Sequence, residues 1–398
     1  MIRSRYSASS SRLRLLLLLG ILCLGGMAHA QELGDGLQTH GFIAQSVVRT
    51  SANKVGGDSE DSLGWDLREM GANLSWRPAP DWLISGQALA RWAGESDRGK
   101  LRLDYGFVDR TLLADGTTQV GLRLGKIKNP YGFHNTTRDV AHTRPGIIMP
   151  QSIYQDQMRD FFLAAPGVSL YGNHEGSQGN ISWQISGLRP EVDNVELEHV
   201  FLLGSVPGNF EGKDSWLGQV MFDAGGRWRL GLSMGKMNMR FPALGGHHSL
   251  PTWVLSTEHN SEAWSFTAEY GETTVKGRNY PMGSTDNTTE AWYIQATRRL
   301  GNGWQGYLRY DVLYYDKEDK DGTNFAGNPF VAVLGFPDHS RFARDWVVGL
   351  RKDVGAWTVS GELHRVYGTA WLSLQDNPVP RALVRRWNMF LLQAAWRF

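Results

Sequence analysis

Residues 390–398 read FLLQAAWRF. On an extended chain Phe390, Leu392, Ala394, Trp396 and Phe398 share one face, and Leu391, Gln393, Ala395 and Arg397 share the other. The alternation runs to the last residue, and that residue is aromatic. A strand that ends with the chain has an open edge unless it pairs with the first strand, and such a closed sheet is a barrel. Working upstream, the same two-residue period recurs. Met70, Ala72, Leu74 and Trp76 oppose Glu69, Gly71, Asn73 and Ser75. Trp82, Ile84, Gly86 and Ala88 oppose Ser85, Gln87 and Arg91, and Leu101, Leu103, Tyr105 and Phe107 oppose Arg102, Asp104 and Arg110. Further on, Trp228 to Met234, Trp264 to Tyr270 and Trp304 to Val312 each keep one apolar and one polar face.

Such faces suit either a soluble sandwich or a membrane barrel, and three features choose the barrel. Short turns, such as 78–81, 114–116, 223–226 and 301–303, alternate with long polar stretches near 51–64, 94–100, 126–164, 189–214, 238–250, 274–288, 315–343 and 368–383. Short turns at one end and long loops at the other are the habit of membrane barrels. Trp82, Trp228, Trp264, Trp304 and Trp357 each begin a strand on its apolar face just after a short turn, the place for an indole ring at a membrane interface. The terminal strand, with Phe390, Leu392, Ala394, Trp396 and Phe398, resembles the signal by which outer-membrane barrels are recognised by their assembly machinery. Seven short turns and eight long loops predict an all-β, antiparallel transmembrane barrel of about sixteen strands, with both termini on the short-turn side.

The first thirty residues carry Arg3, Arg5, Arg12 and Arg14, an apolar run from Leu15 to Leu24, and Ala28-His29-Ala30. This is the pattern of a cleaved secretory signal, with a charged start, an apolar middle and a small-x-small end. It divides the chain into 1–30, a signal peptide, and 31–398, a single barrel. Leu22 before Cys23 argues against lipid attachment, and Cys23 is the only cysteine of the chain. Without the leader, 37 basic residues face 40 acidic ones, which gives no bias toward nucleic acid. The 16 tryptophans and 47 glycines are not divided by any linker or shift of composition.

Taken as a whole, the chain resembles the porins of Gram-negative outer membranes, distantly the selective ones. The residues that carry this most closely are Lys126 to Gly132, KIKNPYG, which resemble the G-x-x-K-x-P-x-G-like junction between strand and loop of several selective porin families. The resemblance implies a third outer loop, about 126–164, that folds into the barrel and narrows it, and it implies a trimer in the outer-membrane lipid. Tyr131, Ile147, Ile148, Met149, Ile153, Tyr154, Phe161 and Phe162 make that loop too apolar to stay in water, and a short helix is predicted near 152–161. Arg138, Asp139, Arg144, Asp156, Arg159 and Asp160 on the loop, with Arg91, Arg102, Arg110 and Arg123 on the wall, are the candidate constriction residues. Sixteen strands leave a watery lumen, so passive diffusion of small hydrophilic solutes is expected, with a weak preference for anionic or polar ones. The other readings are a non-conducting adhesin or structural barrel and a barrel hydrolase. No catalytic residue, cofactor or metal is expected: no Ser and His pair up on one strand face at the lipid boundary. His247 and His248 read as exposed loop histidines, and Asp316, Asp319 and Asp321 read as a solvated loop rather than a Ca²⁺ site.

Overall fold

The computed structural model describes residues 31–32, 36–281 and 283–398, so the expected signal peptide and Cys23 lie outside it. Sixteen strands form one antiparallel sheet that closes on itself. They are β1 Leu37–Thr50, β2 Arg68–Ala79, β3 Trp82–Trp92, β4 Arg102–Ala114, β5 Thr118–Lys128, β6 Ala164–Gly176, β7 Gly179–Leu188 and β8 Glu211–Ala224. The second half runs β9 Trp228–Phe241, β10 Gly246–Asn260, β11 Trp264–Tyr280, β12 Gly283–Gly301, β13 Trp304–Tyr314, β14 Phe342–Val354, β15 Trp357–Gly368 and β16 Arg386–Arg397. Every strand pairs with its sequence neighbours, and β16 closes on β1 from Met389 opposite Thr50 to Arg397 opposite Phe42. Gln31–Glu32 adds a two-residue pairing below β1.

The pleat sorts the side chains as the alternation demands. On β9, Leu230, Leu232 and Met234 are exposed on the outside while Gly231 and Ser233 are buried inside. All five tryptophans that open strands stand on the outer face, with Arg110 over Trp82, Arg298 over Trp264 and Lys352 over Trp304 at 5.2–5.3 Å. An indole capped by a cation on a flexible stem suits a boundary between hydrocarbon and water. Further up, Trp92, Trp216, Trp253 and Trp346 face outward as well. Trp92 lies ten residues beyond Trp82, about 33 Å of strand and, at a tilt near 40°, about 25 Å of thickness. That matches the apolar band of a membrane barrel.

Three expectations change here. Opposite Gln87 and Ala88 the register of β4 slips by one: Ala88 pairs with Leu103 and Gln87 with Tyr105, so Asp104 is an extra residue. This bulge inverts the phase of the strand. Tyr105 and Phe107 therefore face inward, and Arg110 faces outward, 3.6 Å from Asp81, which removes it from the lumen wall. The stretches 238–250 and 274–288 are not long loops. Strands β9 and β10 continue through them to a turn at 242–245, and β11 pairs with β12 up to Tyr280 and Gly283. Beyond the bilayer the outer face of a strand can be polar, as Arg240 and His247 are here, so the apolar outer face that marks a membrane strand is missing. His248 is corrected by the same pairing. As part of β10 it points inward and is 2 % exposed, with its Nδ1 2.8 Å from the Tyr280 hydroxyl, while His247 remains exposed.

Replacing Leu232 with Arg, on the outer face, is expected to destabilise the barrel in lipid by about 2–4 kcal/mol. Urea unfolding in lipid vesicles, read by tryptophan emission, checks it.

Candidate functional site

The longest connection, residues 129–163, joins β5 to β6. Its neck is closed by the Asn129 N–H on the Leu163 carbonyl (2.9 Å) and by the Asn135 amide, which donates to the carbonyls of Asn129 and Phe162. Gly132 sits at φ +59°, and a Cβ there would collide with the Tyr154 hydroxyl. Prolines 130, 145 and 150 limit the remaining path. The predicted helix is present but short and displaced, a 3₁₀ turn at Asp156–Met158 running into one α-turn at Arg159–Leu163. Its apolar residues are buried as expected, and Phe133, absent from the apolar set picked out in the sequence, is buried too.

Inward-facing side chains hold this segment from all around the ring. Glu269 on β11 accepts the Phe133 N–H (2.8 Å) and the hydroxyls of Tyr154 (2.6 Å), Tyr293 (2.8 Å) and Ser256 (2.5 Å). Asp311 on β13 accepts the N–H groups of Gln151 (2.6 Å) and Ser152 (3.3 Å). Glu362 on β15 accepts those of Ile147 (2.9 Å) and Ile148 (3.3 Å), together with the Tyr307 hydroxyl (2.5 Å). On the donor side Arg309 reaches the Ile148 carbonyl (3.1 Å), Arg351 that of His142 (2.7 Å), and Gln219 that of Gly132 (2.8 Å). A buried backbone amide without a partner is costly, and an ionised acceptor gives the stronger bond. Three wall carboxylates thus satisfy a chain that has little regular structure of its own.

Across the ring the attachments are ionic. Arg144 binds Glu69 (2.7 Å), Arg91 binds Glu69 (3.1 Å) and Asp156 (3.2 Å), and Arg138 binds Asp156 (3.2 Å). Arg159 grips Asp104 with two nitrogens at 3.0 and 3.1 Å. Arg102 meets Asp97 (3.0 Å) and Asp160 (3.9 Å), and Lys128 meets Asp139 (2.8 Å). This cluster counts Arg91, Arg102, Lys128, Arg138, Arg144 and Arg159 against Glu69, Asp97, Asp104, Asp139, Asp156 and Asp160, so its charges balance. Eight of the ten candidate residues meet in it. Arg123 lies lower on the wall, paired with Asp109 (2.7 Å) and 3.9 Å from the Tyr171 ring, and Arg110 is outside. Periodicity could not identify Glu69, Glu269, Asp311 and Glu362 as anchors, because each looks like any polar residue on an inward face.

The lumen is not uniformly polar. Towards the long-loop side its wall carries Leu217, Met237, Met239, Phe241, Leu250 and Leu391, all fully buried in one apolar cluster that also takes in residues of the segment and of a helix at Val195–Leu202. The hydrophilic interior expected from the sequence holds only for the lower half. The acidic run of the 315–341 connection is put to local use: Asp319 accepts the N–H groups of Asn324 (3.0 Å) and Phe325 (2.8 Å) at the start of a short helix. Among the described residues no cluster of His, Cys, Asp or Glu has the makings of a metal site.

The outer loops are tied together above this. Glu196 accepts from Ser96 (2.8 Å) and Gln375 (3.0 Å), and Asp376 accepts the Glu95 N–H (2.8 Å). Burial pushes the Asp376 carboxyl up to about 6, and the nearby charges of Glu196 and Asp66 add to this, opposed by the N–H groups of Gly57 and Gly56.

No protein-family model matches the chain, and no curated protein matches it. Solved structures do. The outer membrane channel DcaP of Acinetobacter baumannii superposes with a TM-score of 0.61 over 94 % of this chain and 100 % of that one, at 11 % identity. The anion-selective porin from Comamonas acidovorans gives 0.55 over 91 % and 99 % at 12 % identity, and OmpF of Salmonella typhi, in complex with daunomycin, gives 0.56 over 91 % and 97 % at 12 % identity. The fold is that of the outer-membrane porins, a closed antiparallel barrel of sixteen strands.

Replacing Glu269 or Glu362 with Ala leaves the backbone amides of the segment without acceptors, and each variant is expected to raise single-channel conductance and its noise in planar bilayers. A folded Asp376 carboxyl titrating above its ordinary range favours the ordered loops at low pH, and that contribution is lost as pH rises through about 6. Hydrogen exchange in residues 51–67, 93–101 and 369–385, corrected for intrinsic rates, should be slower at pH 5 than at pH 7.5, and Asp376→Asn should flatten the difference.

Proposed function

We propose that this chain is a channel of the bacterial outer membrane that lets small solutes diffuse passively, with residues 129–163 folded into the lumen as its constriction. The observation that carries this is the double-sided barrel: lipid-compatible side chains outside, ionised and hydroxyl side chains on the lower inner face, and one segment bonded to that face from several sides. Sixteen strands enclose more space than their own side chains fill, so whatever occupies that space decides what passes. The channel DcaP and the two porins of like fold support the reading by analogy.

In this reading Arg91, Arg102, Arg138, Asp139, Arg144, Asp156, Arg159 and Asp160 first brace the segment and second line what remains of the passage, with Arg123 below them. Because the cluster is balanced, the weak anionic preference expected from the arginines alone loses its support there. The aromatic residues at the strand ends serve as the interface girdle, the terminal strand serves as the assembly signal, and the leader directs export. A homotrimer fits a shallow patch of small residues on the outer face, where Ala72, Ala88, Gly86 and Gly106 stand side by side on β2 to β4.

Purified protein in planar bilayers is expected to give small, discrete conductance steps. Removing residues 141–158 is expected to enlarge them several-fold. A barrel that never conducts, with or without the segment, is an adhesin, a scaffold or a hydrolase instead. Reversal potentials in a salt gradient are expected to move little in Arg123→Ala and to shift towards cations in Arg91→Ala and Arg102→Ala, each of which strips a partner from wall or loop carboxylates.

A further inference from the structure

Above the constriction lies a cavity of about 1070 Å³, at the upper end of the range for small-molecule sites. Its floor is the segment itself, where Tyr131 and Phe162 stack at 5.0 Å. Its sides are Phe201 on the Val195–Leu202 helix, Leu250 and Val275 on the inner wall, and Phe330 on the 315–341 connection. An apolar hollow this large, open towards water, is not needed to hold the fold together.

Two polar groups on the lining lack partners among the described residues. The Ser152 hydroxyl is buried and makes no hydrogen bond. The Arg341 guanidinium donates no hydrogen bond and has no carboxylate within 4 Å; it lies 4.8 Å from the Tyr315 ring and 4.5 Å from that of Phe325. The acidic residues nearby are differently placed. Asp286 is paired with Arg278 (2.7 Å), Asp319 is bound to backbone N–H groups, Asp316 accepts the Glu318 N–H (3.1 Å), and Glu318 is exposed.

We propose that this cavity binds an amphipathic monocarboxylate, with an apolar chain or ring lodged among Tyr131, Phe162, Phe201 and Leu250 and its carboxylate on Arg341. The planar fork of a guanidinium matches a carboxylate, and the two rings beside it hold the fork in place. Arg341 offers a single positive charge with Asp316 and Asp319 nearby, which disfavours a doubly charged phosphate more than a single carboxylate. The proposal deepens the channel reading by naming a solute class, and it rests on that reading for the passage of the captured solute through the barrel. A solute with an apolar body and an ionised head has a partner in both halves of the lumen.

The test uses the full barrel in lipid nanodiscs, since detergent would itself fill the cavity, with empty nanodiscs as the blank. Calorimetric titration compares 4-phenylbutyrate, 4-phenylbutan-1-ol and butyrate. Saturable binding of phenylbutyrate is expected, weaker by about tenfold or more in Arg341→Gln. Phenylbutanol should bind less tightly and ignore that substitution, and butyrate should not bind. Phe330→Ser, at an exposed position, should weaken both aromatic ligands. No saturable binding of phenylbutyrate, or equal binding of acid and alcohol with no effect of Arg341→Gln, overturns the proposal. Flux of phenylbutyrate into proteoliposomes is measured separately: binding without flux leaves the site standing and counts against the channel.

Discussion

Hydrocarbon offers no hydrogen bonds, and this one constraint governs the whole molecule. Every backbone N–H and C=O at membrane depth must find its partner within the protein. The sixteen strands meet the demand by pairing in a ring, and the ring is complete only because Met389–Arg397 lies beside Phe42–Thr50. Closure then dictates the remainder. The outer face must be apolar over a fixed height, the inner face is free to be polar, and an interior too wide for its own side chains must hold either water or another piece of chain.

The same rule applies inside, with a different answer. Residues 129–163 leave the sheet and so lose the ladder that satisfies backbone groups elsewhere. Side chains of the wall replace it, carboxylates for the N–H groups and arginines or glutamines for the carbonyls. The segment is therefore held by polar wall groups and shares a buried apolar cluster with Met237, Met239 and Phe241 of the wall. A segment fixed in this way keeps one geometry through side chains of the wall alone.

Much of this was legible in the residues. The period of two, the alternation of short turns with long stretches, the tryptophan after five of the seven short turns and the aromatic last residue sufficed for strand number, direction and closure, because those features answer directly to the bilayer. The third loop could be picked out by length and apolar content. What could not be read was pairing over distance. Arg144 and Glu69 are 75 residues apart, and Arg159 and Asp104 are 55 apart, so an arginine-rich wall looks basic in sequence when it is neutralised by carboxylates brought to it by closure. The stretches 238–250 and 274–288 resemble loops because a strand that has left the membrane loses its apolar face. The apolar interior above residues 129–163 was hidden for a related reason. The clearest alternation lies in the lower halves of the strands, and the inward residues Leu217, Met237 and Leu250 come from the upper halves.

The extra residue in β4 was equally hidden, since Tyr105 and Phe107 suit either face of a sheet. Strict alternation offers one inward side chain for every two residues, a spacing of nearly 7 Å. At Asp104 and Tyr105 two successive side chains turn inward instead. One takes the guanidinium of Arg159, and the other lies beneath the ammonium of Lys128, 4.4 Å from its ring centre. A single inserted residue thus doubles the local density of groups gripping the interior, at the place where the segment leaves and re-enters the wall. Sheet irregularity works here as a means of crowding chemistry onto a surface whose regular spacing would keep it sparse.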